Sequence, residues 1–229
     1  MTIPQLPPAL AKVRGGVFYL HGEDAFRKEQ VVTALIDAHL DSATQDFNFD
    51  QLRGTETEVE TVASIMATPP MMAEWRVVVV REVEGFASGK KARETILEVV
   101  RNPPPGLVLI LSCTVPRGSR AKFYRDLSSL SHSVEFKTFT SADIPGWLIN
   151  RAREAYSVEI EVEAAQALSS AIGTNLGVLD RELEKLTDFL GDRSLITIGD
   201  VEAVGTKLPS QDRWRWFDLV GERRFQEAL

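Results

Sequence analysis

Apolar positions along this chain follow two rhythms, and the change between them divides it. In the first 140 residues, unbroken apolar runs recur at 17–20 (VFYL), 77–80 (VVVV) and 107–112 (LVLILS). Short β-branched runs without polar alternation predict strands buried on both faces of a largely parallel sheet. Residues 46–52, with Phe47 and Phe49 alternating, and residues 134–136 predict two more strands. Between them the spacing turns to threes and fours. Val31, Val32, Leu35, Ile36 and Leu40 predict one helix, and Val59, Val62, Ala63 and Met66 a second. Residues 90–101 predict a third, with Ile96, Leu97, Val99 and Val100 inward. Phe123, Tyr124, Leu127 and Leu130 predict a fourth, with Ser119 as its cap. Strands alternating with helices predict an α/β layered sheet over residues 1–140, preceded by a loose, proline-bearing lead-in up to Gly16.

After Thr138 the strand runs stop, and residues 141–208 predict a small all-helical domain. Ser141 and Asp143 can start a helix bearing Ile144, Trp147, Leu148 and Ala155, and residues 164–172 form the next, ended by Gly173. Leu176, Leu179, Leu183, Leu186 and Leu190 give the clearest helical stripe in the chain. Thr197 and Asp200 are spaced as a capping box before a helix with Val201 and Val204 inward. Residues 207–211 resemble a linker. Trp216, Phe217, Leu219 and Val220 then predict a helix, and a second starts near Arg224 with Phe225, Ala228 and Leu229 apolar. A hairpin cut at Leu229 cannot bury those faces alone, so residues 209–229 are expected to be the first part of a third, helical domain.

Between the second helix and the four-valine run, Thr68-Pro69-Pro70 stops the helix and stiffens the connection, because proline lacks an amide donor and restricts its predecessor. Met71 and Met72 follow, then Trp75. Methionine is a common core filler, and that alternative has to be weighed. Against it, adjacent side chains projected from a stiff turn suit insertion into another protein's pocket, with Trp75 already a large apolar anchor there.

Composition narrows the remaining chemistry. A net charge of -7 argues against broad phosphate binding by the whole surface. One cysteine, Cys113, excludes an internal disulfide and fits a reducing compartment. It reads as a small buried hydrophobe without a charge partner. No run approaches transmembrane length and no signal-peptide core is evident, so a cytoplasmic protein is expected. His21, His39 and His132 are scattered without metal-ligand spacing, so surface or packing roles are expected and no metal. The basic clusters Lys90-Lys91-Arg93 and Arg117-Arg120-Lys122-Arg125 lack interleaved aromatics and read as solvated faces. Glu182 and Glu184, beside Lys185, read as a solvent face. Strand, glycine turn and helix at residues 17–36 share the layout of a phosphate-binding loop, which needs G-x-x-x-x-G-K-S/T. From Gly22 the chain reads GEDAFRKEQ, without a second glycine or a Lys-Ser/Thr pair, and Glu23 and Asp24 stand where a phosphate would sit. A structural turn is the favoured reading, the two acids complementing the helix dipole.

These segments together resemble the delta subunit of the bacterial DNA polymerase III clamp loader. The resemblance is carried by YLHGEDAFRKEQ, FNFDQLRG, ATPPMMAEWRVVVVRE, the FYRDL helix, WLINRA, IGTNLGVLDRELEKL and ITIGDVE, with RWFDLVGERRFQEAL similar to the start of that family's collar. It implies an AAA+-type α/β domain, a helical lid and an oligomerising collar. It further implies a subunit that binds and opens the ring-shaped beta sliding clamp, beside ATP-hydrolysing gamma/tau subunits and delta prime, for loading on primed DNA. The family's clamp-contact element carries two large apolar residues after a short turn; these fall on Met71 and Met72, flanked by Pro70 and Trp75. The same resemblance implies a degenerate nucleotide site at Gly22, Glu23, Asp24, Arg81, Glu82 and Leu176 and no cofactor of the chain's own. The phosphate-binding lysine is read as missing, Arg81-Glu82 replaces an Asp-Glu pair, and Leu176 replaces a nucleotide-sensing arginine. The competing classes are a nucleotide hydrolase with an unusual phosphate loop, and a nucleic-acid-binding or nucleotide-binding AAA+-like protein of replication or repair.

Overall fold

The four-valine run lies on an interior strand of a sheet, as its composition requires. The computed structural model describes residues 6–204 and gives two compact units, one reaching to Thr138 and the other starting at Phe139. In the first, β1 (Gly16–His21), β2 (Phe49–Arg53), β3 (Arg76–Arg81), β4 (Leu107–Cys113) and β5 (His132–Glu135) form one sheet in the order β2-β3-β4-β1-β5. Every neighbouring pair is parallel, with Val78 facing Leu109 across β3 and β4 and Tyr19 facing Leu111 across β1 and β4. Parallel strands need crossovers. These are α1 (Ala25–His39), α3 (Val59–Met66), α4 (Lys90–Arg101) and α5 (Lys122–Leu130), with a one-turn α2 (Gln45–Asn48) before β2.

Because successive strand residues point to opposite faces, each central strand feeds two cores. Val78, Val80, Leu109, Leu111 and Tyr19 pack with α3, α4 and α5, while Val77, Val79, Val108, Ile110 and Phe18 pack with α1. The lead-in joins this second core: Leu10 is buried there, with Leu6 and Val13 against it, so it is not loose.

Local differences from the sequence reading have physical causes. Residues 46–48 belong to α2 rather than to a strand, and Phe47 is exposed. The helix over residues 122–130 is preceded by Ala121 at its N-cap, and Ser119 only accepts a bond from the Ala121 amide at 3.4 Å. Leu130, expected inward, is exposed at the end of that helix.

The second unit contains α6 (Ile144–Tyr156), α7 (Val162–Ile172), α8 (Leu176–Leu190) and α9 (Ile198–Val204). All five leucines of the α8 stripe are buried. The capping box forms: Thr197 donates from its amide and hydroxyl to Asp200 Oδ2, and the Asp200 amide donates back to Thr197 Oγ1. Arg193 also reaches Asp200, and together these bonds pull its carboxyl pKa down to about 2. Val201 and Val204 are only half-buried. The unit is not strand-free, since β6 (Glu159–Ile160) and β7 (Leu195–Ile196) pair in parallel. Glu182 does not share a solvent face with Glu184; it is buried, with Lys185 Nζ 2.6 Å away. The linker at 207–211 and the apolar tail from Trp216 to Leu229 lie outside the described residues. No described helix is long and apolar enough to cross a membrane.

Candidate functional site

Parallel strands give the sheet two unlike ends. The turns that follow strands gather at the end where this architecture commonly places ligands. The connections that precede them gather at the other end, which in this chain carries residues 67–75.

At the ligand-type end, the turn after β1 is filled by the chain itself. Gly22 has φ +119, and a Cβ there would lie 2.2 Å from the Phe136 carbonyl oxygen, so glycine is required by backbone approach and not by a phosphate. The Asp24 amide donates to that same oxygen at 3.2 Å. Asp24 caps α1, its carboxylate accepting from the Arg27 amide at 3.0 Å and pairing with the Arg27 side chain. An anion thus already occupies the helix N-terminus. Glu23 points outward, within 3.5 Å of Arg117.

The reading that no lysine stands here needs correction. Lys28 lies six residues after Gly22, at the spacing of a phosphate-binding lysine, with Arg27 before it and Glu29 after it. It is buried, and its Nζ donates to the Cys113 carbonyl (2.9 Å) and Thr114 Oγ1 (3.1 Å) at the end of β4. Burial pushes its pKa down, with Glu84 and Asp24 among the opposing groups. Cys113 therefore has charged neighbours after all, and burial followed by Glu84 pushes its thiol up to about 12. Glu29, in the place of the magnesium-binding Ser/Thr, forms a paired bond with Arg81, whose Nη2 lies 2.7 Å from Glu29 Oε1. Glu82 has φ 54 and binds Thr55 and Arg53. Leu176 is the first residue of α8 and is buried. The residues of the first unit do not fit a magnesium nucleotide: a carboxylate fills the anion seat, the lysine is bonded elsewhere and an ion pair fills the metal position. Among the described residues no group of three or more His, Cys, Asp or Glu could hold a metal ion.

At the opposite end, α3 stops at Met66, and Thr68 closes it by donating to the Ser64 and Ile65 carbonyls. Pro70 is half-buried against the turn before β4. Gly106 there has φ +77, and a Cβ on it would meet Pro70 Cγ at 2.9 Å. The Arg76 amide donates to the Gly106 carbonyl at 2.9 Å. Trp75 is half-buried, packs on the α1-side core and meets the His39 ring edge-on at 5.8 Å. Trp75 and Pro70 therefore brace the base of the connection. Met71 and Met72 stand out of it, 53% and 91% exposed, which core filling does not allow. Met72 also has φ 55, a left-handed conformation that costs a side-chain-bearing residue about 1–2 kcal/mol. Beside the pair lies an open cleft of about 620 Å³, lined by Met72, Trp75, His39, Arg14 and Thr44 among others.

Sequence reasoning missed Asn48. It is fully buried at the end of α2; its Nδ2 donates to the Met71 carbonyl (2.8 Å) and its Oδ1 accepts from the Met71 amide (2.7 Å). The only signal in the sequence is a lone asparagine inside the apolar stretch FNF. Phe47 next to it is 59% exposed, and its carbonyl accepts from Arg76 Nη1 at 2.8 Å.

Comparison with known proteins gives a consistent result. Residues 18–137 match the family described as DNA polymerase III, delta subunit. The chain is 25% identical over 221 residues to DNA polymerase III subunit delta of Bacillus subtilis, across 93% of this chain and 63% of that protein. It is 21% identical over 222 residues to the probable DNA polymerase III subunit delta of Aquifex aeolicus, across 93% and 61%. The chain thus spans somewhat under two thirds of the length of these relatives. Among solved structures it is similar to the Bacillus subtilis DNA clamp loader delta protein, with a TM-score of 0.73 at 23% identity, over 93% of this chain and 64% of that one. It is also similar to the Thermotoga maritima RuvB Holliday junction branch migration motor, with a TM-score of 0.50 at 16% identity, over 92% and 70%. At these identities the structural likenesses speak for the fold, which is AAA+-like.

Proposed function

The chain belongs to the family of DNA polymerase III delta subunits, and on that premise we propose that it is the clamp-loader subunit that binds and opens the beta sliding clamp. Its partners are that clamp, the gamma/tau and delta prime subunits and, through the assembled complex, primed DNA. The observation that carries the reading is the exposed Met71-Met72 pair on a braced connection at the sheet end away from the degenerate nucleotide turn. Two adjacent apolar side chains held clear of the core fill a partner's pocket with little ordering left to do on association. Opening follows by linkage: the subunit spreads the ring only as far as its affinity for the open form exceeds that for the closed one. The chain hydrolyses no nucleotide itself, because the groups that would hold a magnesium nucleotide already have partners within the chain; energy input belongs to the partner subunits.

The test is co-migration of the chain with the sliding clamp of its own species on size exclusion, with and without Met71→Ala/Met72→Ala. The unaltered chain should shift the clamp. The double variant should keep its stability within about 0.5 kcal/mol per site, as surface positions do, and lose clamp binding by about 2 kcal/mol or more. A double variant that melts much earlier yet binds the clamp normally would overturn the reading.

A further inference from the structure

We propose that Asn48 is the positioning residue for the clamp-contact pair, fixing the direction of Met71 and Met72 through the Met71 backbone. The inference rests on the clamp-binding reading of that pair. Asn48 has 0% exposure, and all of its side-chain bonds go to backbone: to the Met71 amide (2.7 Å), the Met71 carbonyl (2.8 Å) and the Thr44 carbonyl (3.0 Å). A side-chain amide presents an acceptor and a donor side by side, so it can satisfy both backbone groups of one residue at once. This reproduces the two-bond exchange of a hydrogen-bonded antiparallel pair at a place where no strand is available.

Met71 needs such a partner. Pro70 before it carries no amide hydrogen, and Met72 after it is in the left-handed region, so neither neighbour continues a ladder or a helix. Asn48 is in turn tied down. It ends α2, whose Phe47 carbonyl accepts from Arg76 Nη1 while Arg76 Nη2 pairs with Asp50. Arg76 starts β3, directly after the braced Trp75. The one-turn helix that replaces the start of the expected strand thus delivers one amide side chain to one backbone residue, and the apolar pair is held before any partner arrives. Loss of the bracket leaves the pair to be ordered on binding.

The experiment compares the 229-residue chain with Asn48→Ala and Asn48→Asp. Two quantities are read: native-state hydrogen exchange at the Met71 amide, and affinity for the sliding clamp of the chain's own species. The alanine variant should lose Met71 protection while the β3 and β4 amides keep theirs. It should bind the clamp about tenfold more weakly, the loss expected when roughly one further residue must be ordered on association. Aspartate keeps the acceptor and loses both donated bonds, and should weaken binding as well. A double-mutant cycle with Met71→Ala should be less than additive, because both changes act through one residue; a residue supporting the fold in general would add fully. Asn48→Ser replaces the alanine variant if that one fails to fold. Unchanged affinity in the Asn48 variants, or full additivity, overturns the positioning role alone. Failure of the unaltered chain to bind the clamp overturns the proposed function, and the positioning role with it.

Discussion

Met72 makes stability and binding separable in a single substitution. Its backbone is held at φ 55 and its side chain is 91% exposed. Replacing it with glycine removes the steric cost of the left-handed conformation, about 1–2 kcal/mol. Glycine gives back part of that gain, about 0.5–1 kcal/mol, through its larger unfolded-state entropy. The net expectation for Met72→Gly is stabilisation by about 0.5–1 kcal/mol, or a rise in Tm of roughly 1–4 °C for a chain of this size. Met72→Ala stays in the strained region and loses no packing, so its stability should lie within about 0.5 kcal/mol of the parent. Clamp binding should fall in both, by about 2 kcal/mol or roughly thirtyfold, since either change removes an apolar anchor. Urea unfolding and clamp titration of the same protein samples read the two effects. A buried methionine would instead lose about 2–5 kcal/mol of stability on truncation. Destabilisation of that size in Met72→Gly, or clamp affinity equal to that of the parent, would contradict this expectation.

Two further outcomes follow from the charged groups. Calorimetric titration with Mg-ATP should show no micromolar binding, because Asp24 fills the helix terminus and Arg81 pairs with Glu29; clear saturable heat would contradict this. His39 should couple stability to pH. Burial holds its pKa below 6.5, with its Nδ1 on the Leu35 carbonyl and its Nε2 accepting from the Gly15 amide, so the folded state keeps it neutral. The unfolded chain then takes up the proton first on acidification. Stability is therefore full above the unfolded value of 6.5 and falls as the pH drops below it. The slope from this one group is at most about 1.4 kcal/mol per pH unit. His21, also lowered by burial, leaves a residual slope of the same sign. The stability advantage of the parent over His39→Gln should be widest near neutrality and shrink on acidification in urea titrations; a constant difference would count against it.

Whatever depends on local repetition was legible from the order of residues alone. The four-valine run and the run at 107–112 became central strands because continuous β-branched and apolar residues suit only a sheet covered on both faces. The α8 leucines and the Thr197–Asp200 box were legible because a helix repeats every three to four residues and its caps are local chemistry. Pro69 and Pro70 ended α3 where covalent geometry says they must. What depends on partners far along the chain had to await folding. Phe47 and Phe49 alternate as a strand would, yet residues 45–48 form a helical turn, because Asn48 and the Phe47 carbonyl bond to Met71 and Arg76 more than twenty residues away. Lys28 stands at a phosphate-binding spacing but is turned onto the end of β4, and Arg81 finds Glu29 only once β3 lies beside α1. Glu182 is buried by the packing of its own unit, and Leu10 by the sheet it lies against. The apolar pair was legible as a pair; its exposure was settled by Pro70, Trp75 and Asn48 bracing the connection beneath it. Hydrophobic period is a property of a short window of sequence, whereas a hydrogen bond to a buried backbone group is fixed only when the fold brings its two ends together.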